Sequence, residues 1–292
     1  MTQPDRTLRV AAIHFLNPAP LMWNFVHPPV AAELRRRYTV HYTAPAACAA
    51  ELLRGSADLG LIPVAALTSE LAVVPGCTIA SLRQVRSILL LVRQSAAATL
   101  ADVRSVAADA ASRSSVAYAQ VLFRHFLGIA PAFIQAVADP ITMLGQNDAA
   151  LIIGDPALLA REQRKQIEGA LGPCLWIDLA EEWNARTGLP WVAAVWAARP
   201  GALIAAGVSA GEMMEDLTAS RDAGLRHVDA LVEEWTPRIG VPGSTIRTYL
   251  TENIYYHLDG ACIESILLFR RLAAEVGALP PLPVLRFVEE ER

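Results

Sequence analysis

The runs VRSILLLVR (85–93) and LPWVAAVWAA (189–198) decide how this chain is organised. Each has an apolar centre with β-branched or aromatic residues, the pattern of a strand buried on both faces. Between them, residues 95–189 carry strand and helix signals of their own. The reading is one lobe interrupted by another. Lobe one takes residues 1–94 plus 190–292, and lobe two is the inserted segment 95–189. The two runs, near 86–95 and 189–198, are expected to cross between the lobes as a hinge.

Working outward to the N-terminus, short β runs are expected at Leu8–Ile13, Tyr38–Thr43 and 57–62. Asn17-Pro18 follows the first run as an N-cap with proline at the first helical position. Pro45 opens a helix over 46–54 that Gly55 closes, and Pro63 opens another. Inside the insertion, strands are expected at 103–108, 132–137, 149–153 and 175–178. Helices are expected at 116–127, near 140–145, from Gly154-Asp155-Pro156, and around Trp183. From Ser209 onward the pattern is almost entirely helical. Strands alternating with helices at this spacing indicate an α/β protein with mixed, mostly parallel sheets covered on both faces. Ligands of such folds sit in the cleft beyond the C-terminal ends of the strands.

A chain of 292 residues with 53% hydrophobic and 18% charged residues supports two modest cores and excludes disorder. The net charge of −4, without a basic stripe, excludes nucleic acid or a membrane surface as expected partners. Despite a mean hydropathy of +0.33, the most apolar stretch, 189–211, is broken by Arg199-Pro200-Gly201. Each half falls short of the ~20 apolar residues a bilayer requires. The N-terminus (MTQPDRTLRVAAIHFLNP) carries no export signal pattern. Cys48, Cys77, Cys174 and Cys262 are isolated, without ligand spacing, and read as buried reduced thiols in a cytoplasmic protein.

Four loops that follow strands carry polar, helix-opening residues: 14–17, 81–87, 112–115 and Gly154-Asp155. Helix N-termini offer unpaired N–H groups and a positive dipole end, which suit carboxylates. Ser114 and Ser115 add hydroxyl donors there, and Arg86 adds a fixed charge. The same residues also serve as ordinary N-caps. Walker A, GxGxxG and HExxH patterns are absent from the sequence. His14 is a candidate base or a hydrogen-bonded structural residue, and Asp155 a candidate ionisable group or an N-cap. Tyr255 and Tyr256 read as core.

HFLNPAPL (14–21), LRGSADLGLIPVAAL (53–67), VRSILLLVR, SRSSVAYAQVLF (112–123), DAALIIGDPAL (148–158), DLAEEWNARTGLPWVAAVWAAR (178–199) and YLTENIYYHLDG (249–260) occur in this order. In these blocks the sequence resembles the chorismate dehydratase family of menaquinone biosynthesis, in the futalosine pathway. His14-Phe15, Arg83-Gln84 and Ser114 depart from residues usual in that family. The resemblance implies a two-lobed, type 2 periplasmic-binding-protein-like fold. It also implies a hydro-lyase that converts chorismate into 3-[(1-carboxyvinyl)oxy]benzoate without metal or organic cofactor; separately, the apolar C-terminal helices leave a monomer or a homodimer open. On that reading Ser87, Ser114 and Ser115 bind carboxylates, with Arg86 and Gly154 beside them. Asn17 orients the substrate or hydrogen-bonds the departing hydroxyl. Asp155 or His14 assists proton transfer, unless the substrate's own enolpyruvyl carboxylate is the base. The alternatives are a 1,4-dihydroxy-6-naphthoate synthase-like enzyme of the same pathway and a non-catalytic binding protein for a small carboxylate.

Overall fold

The computed structural model describes residues 7–110 and 112–289. Residues 1–6, on which the expectation about an export signal partly rests, lie outside that range. The apolar runs become twelve strands among the described residues. The first four are β1 (Leu8–Ile13), β2 (Tyr38–Thr43), β3 (Leu59–Pro63) and β4 (Ala72–Ser81). The middle five are β5 (Ile88–Arg93), β6 (Ser105–Asp109), β7 (Ala132–Ala136), β8 (Ala149–Ile153) and β9 (Cys174–Asp178). The last three are β10 (Trp191–Ala198), β11 (Tyr255–Leu258) and β12 (Arg286–Phe287). A seven-stranded sheet runs β11-β4-β10-β3-β1-β2 with β12 on β4, and a five-stranded sheet runs β7-β6-β8-β5-β9.

Pairing divides evenly between the two senses, which corrects the expectation of mostly parallel sheets. β1 with β2 and β3, β6 with β7 and β8, and β12 with β4 are parallel. β10 with β3 and β4, β11 with β4, and β5 with β8 and β9 are antiparallel. The cause is topological: β5 and β10 each arrive from the other sheet and run against their neighbours. Each lies wholly within one sheet, so the chain crosses just before them, at 82–87 and 188–190. β5, expected at the end of lobe one, is flanked by β8 and β9 of the five-stranded sheet.

Three strands were not expected: β4, β11 and the two-residue β12. β4 contains Pro75 and Gly76, residues that argue against a strand interior. The sheet absorbs them in an irregularity: the β10 ladder steps from Thr78–Val195 to Val73–Ala197, and Gly76 has φ +93°. β11 interrupts the segment read as helical, and it pairs with β4 beside that irregularity.

Helices cover both sheets. The longest, Ala210–Arg226, starts at a capping box in which Ser209 and Glu212 satisfy each other's backbone N–H groups. Where the chain returns at 188–190, Trp183, Trp191, Tyr118 and Phe269 pack edge to face or tilted, with ring centroids 5.0–6.3 Å apart. All four cysteines are buried and reduced. Among the described residues no helix is long and apolar enough to cross a membrane.

Candidate functional site

The four loops converge on one cavity between the sheets. Its walls include Phe15 and Asn17 from the first loop, Val85 and Ser87 from the second, Ser112 to Ser115 from the third, and Gly154 from the fourth. β10 closes it with Trp191, Ala193 and Ala194.

Asn17 does not cap a helix. Residues 17–19 form a turn, and the short helical segment Pro20–Met22 starts behind Ala19. Freed from capping, the Asn17 amide lines the cavity, where Oδ1 is buried without a protein partner. Its backbone carbonyl accepts a hydrogen bond from Tyr256 at 3.0 Å, so β11 holds the loop from behind.

The helix Ser114–Val121 begins at Arg113 without a side-chain cap. Its first N–H groups therefore stay available at the cavity, the arrangement that favours an anion. Ser114 Oγ accepts from Ala65 N–H at 3.1 Å and donates to Ala193 carbonyl at 3.3 Å. That hydroxyl ties the helix to the opposite sheet rather than standing free for a ligand. Ser115 lines the cavity, and Ser112, buried with Oγ unpartnered, does too. Arg113 is exposed at the rim.

Ser87 is 2% exposed, and its hydroxyl accepts a 2.7 Å hydrogen bond from Tyr249. Its carbonyl receives Gly154 N–H at 2.8 Å. Gly154 is required twice over: φ is +65°, and a Cβ would lie 2.7 Å from the Phe15 ring. Its N–H is committed to Ser87, so it shapes the cavity wall.

Asp155, Arg86 and His14 lie outside the cavity lining. The Asp155 carboxylate accepts Leu16 N–H at 3.0 and 3.3 Å. Burial pushes its pKa up to about 6, opposed by the Leu16 N–H and the nearby His14. His14 is exposed and borders a separate surface groove with His27, Tyr42 and Glu234. Arg86 has φ +65°, which turns its side chain away from the cavity that its neighbours Val85 and Ser87 face. Among the described residues no group of three His, Cys, Asp or Glu side chains is placed to hold a metal ion.

The sequence profile of the menaquinone biosynthesis family matches residues 8–275. The chain belongs to that family. A chorismate dehydratase from Thermus thermophilus is 28% identical to this family member over 263 residues, 85% of this chain and 89% of that protein. Among solved structures, an Archaeoglobus fulgidus protein is 12% identical with a TM-score of 0.70, covering 94% of this chain and 98% of its own. The alkanesulfonate-binding protein of Xanthomonas axonopodis is 16% identical with a TM-score of 0.66, covering 96% of each chain. A Candida albicans protein described as having the generic periplasmic binding protein fold is 13% identical with a TM-score of 0.62, covering 94% of this chain and 91% of its own. The fold of this menaquinone biosynthesis family member is thus periplasmic-binding-protein-like.

Sequence reasoning missed two contributors to its cavity. Trp191, whose Nε1 is buried without a partner, sat unremarked in an apolar strand run. Tyr249 acts through Ser87 from a helical turn 162 residues away. Nothing in one sequence separates these from core residues.

Proposed function

We propose that the chain is a chorismate dehydratase, a carbon–oxygen lyase that removes water from chorismate to give 3-[(1-carboxyvinyl)oxy]benzoate. The observation that carries the reading is the pairing, in one cavity, of an uncapped helix start at Ser114–Ser115 with the buried, unpartnered Asn17 Oδ1 and Ser112 Oγ. The first suits a carboxylate, and the others suit the hydroxyl on the ring. The dehydratase relative adds support. The lobes are read from sheet membership, residues 7–87 with 188–289 and residues 88–187, with ligand entry as they part. The address is read as cytoplasmic and the partner as a small dianion; no metal or organic cofactor is invoked.

The chemistry asks little of the side chains. A base takes the ring C3 proton, the C–H electron pair forms the new ring double bond as the C4–O bond breaks, and the proton passes on to the departing C4 hydroxyl, which leaves as water. Aromatisation drives the step, so orientation, polarisation and water exclusion lower the barrier. Ser115, Ser87 and the Ser114 end of the helix hold the carboxylates. Asn17 accepts from the C4 hydroxyl and holds it as it leaves. Because the Asp155 carboxylate is bound to Leu16 N–H and His14 faces outward, the reading assigns the proton to the substrate's own enolpyruvyl carboxylate.

Purified protein mixed with chorismate, with products followed by liquid chromatography and mass spectrometry, tests this. Loss of one water to an aromatic enolpyruvyl ether is expected. Intact chorismate with a raised melting temperature identifies a binding protein and overturns the enzyme. Neither turnover nor a shift overturns chorismate as ligand and turns the test to the naphthoate synthase substrate.

A further inference from the structure

Residue 86 projects from the first crossing segment into a second cavity, on the face away from the one described above. This cavity, about 230 Å³, is lined by Arg86, Arg161, Arg164, Glu162, Trp176 and Thr245, with one leucine beneath. Three guanidiniums face a single carboxylate there. Glu162 already accepts the Thr245 hydroxyl at 2.9 Å. Arg164 is partly engaged: Nε donates to Glu168 at 3.1 Å, and the guanidinium lies 5.4 Å from the Trp176 ring centroid.

Arg86 and Arg161 are not engaged in this way. Neither side chain makes a hydrogen bond among the described residues, and Arg86 Nε is buried without a partner. The nearest carboxylate oxygen to Arg161, Asp178 Oδ2, is 4.0 Å away. That carboxylate is taken up by the N–H groups of Val85, Arg86, Ala180 and Glu181. Two partly buried guanidiniums side by side repel, and the buried Arg86 Nε donor is left unmet. Burial and the adjacent Arg86 accordingly hold the Arg161 pKa below the usual guanidinium range. An oxyanion removes both costs, since planar N–H pairs match phosphate or carboxylate oxygens two at a time.

We propose that this pocket is a second anion site that takes a small dianion, with phosphate or carboxylate oxygens, between Arg86 and Arg161. Thr245 comes from the helix Gly243–Thr248 and Arg161 from the helix Gly154–Glu162, so the anion bridges two elements far apart in the chain. Val85 and Ser87 line the central cavity on either side of Arg86. An anion held by Arg86 therefore steadies the backbone that positions Ser87, which makes the site regulatory rather than catalytic.

The test titrates the full chain with sodium phosphate, against sodium chloride at matched ionic strength, by thermal shift and calorimetry. Succinate in parallel tells phosphate from carboxylate ligands. Wild-type protein should show a saturable stabilisation that chloride does not reproduce. Arg161→Gln should raise the phosphate Kd by about tenfold or more, and Arg164→Gln should raise it less. Arg164 is the more exposed of the two, so its variant decides the matter if Arg161→Gln fails to fold. Ser115→Val, in the central cavity, should leave the phosphate response intact. Absence of a saturable shift, or a shift lost in Ser115→Val but kept in Arg161→Gln, overturns the proposal. Chorismate is not used, so the outcome is independent of the dehydratase reading.

Discussion

At Asn17 one side-chain amide had two competing uses. The dipeptide Asn17-Pro18 is a helix start by every local rule, yet the chain turns once more before the helical segment at Pro20. The amide is thereby left over for the cavity. If it holds the departing hydroxyl, Asn17→Ala should lower kcat by about 10²- to 10³-fold, the scale of losing one well-placed polar group. Asp155→Asn should cost less than about tenfold. Equal losses in steady-state kinetics would return Asp155 to the role of base. Asp155 also carries a stability signature. Its pKa is raised by burial from the ordinary 3.8 to about 6, so the folded state binds the proton more tightly than the unfolded chain. The benefit is full below about pH 4 and is lost as pH rises through about 6, leaving a neutral-pH penalty of up to about 3 kcal/mol. Asp155→Asn should therefore raise the melting temperature at pH 8 and change it little at pH 4. Both roles of Asp155 were open in the sequence. Only the contact with Leu16 N–H, 139 residues away in the chain, separates them.

At the scale of elements, the loop that carries Asn17 is held by close backbone packing. Gly224, in the helix Ala210–Arg226, would place a Cβ 2.3 Å from the Pro20 carbonyl oxygen. On the same helix, Ser220 Oγ accepts Asn24 N–H at 3.0 Å. Backbone cannot yield as a flexible side chain does, so Gly224→Ala should displace the loop. The expected result is a fall of at least about 5 °C in melting temperature, together with a loss of kcat. Gly211→Ala in the same helix meets nothing within 4 Å and is the control. It should leave stability unchanged or slightly improved. Most elements were legible because apolar runs such as Leu8–Ile13 and Ile88–Arg93 are bounded by turn chemistry. β4 was not, because Pro75 and Gly76 oppose a strand locally and only pairing with β10, β11 and β12 holds it extended.

Across the whole molecule, Ser114 links the two sheets through one hydroxyl. Ser114→Ala leaves the buried Ala65 N–H without its partner. The expected cost is about 1–3 kcal/mol, or roughly 3–9 °C by thermal denaturation, with weaker chorismate binding if the lobes close on the ligand. A melting temperature equal to wild type would show that this contact does not hold the sheets together. The sequence by itself determined the α/β alternation, the four polar loops after strands and the family resemblance. These rest on local periodicity and on short blocks of contiguous residues, which one chain displays in order. Only the tertiary structure decided where the chain crosses between sheets and how evenly the strands pair. It also turned Arg86 out of the central cavity, left Asn17 facing in and brought Trp191 and Tyr249 to the site. Those outcomes depend on contacts between residues far apart in sequence, where burial and backbone fit override local preference.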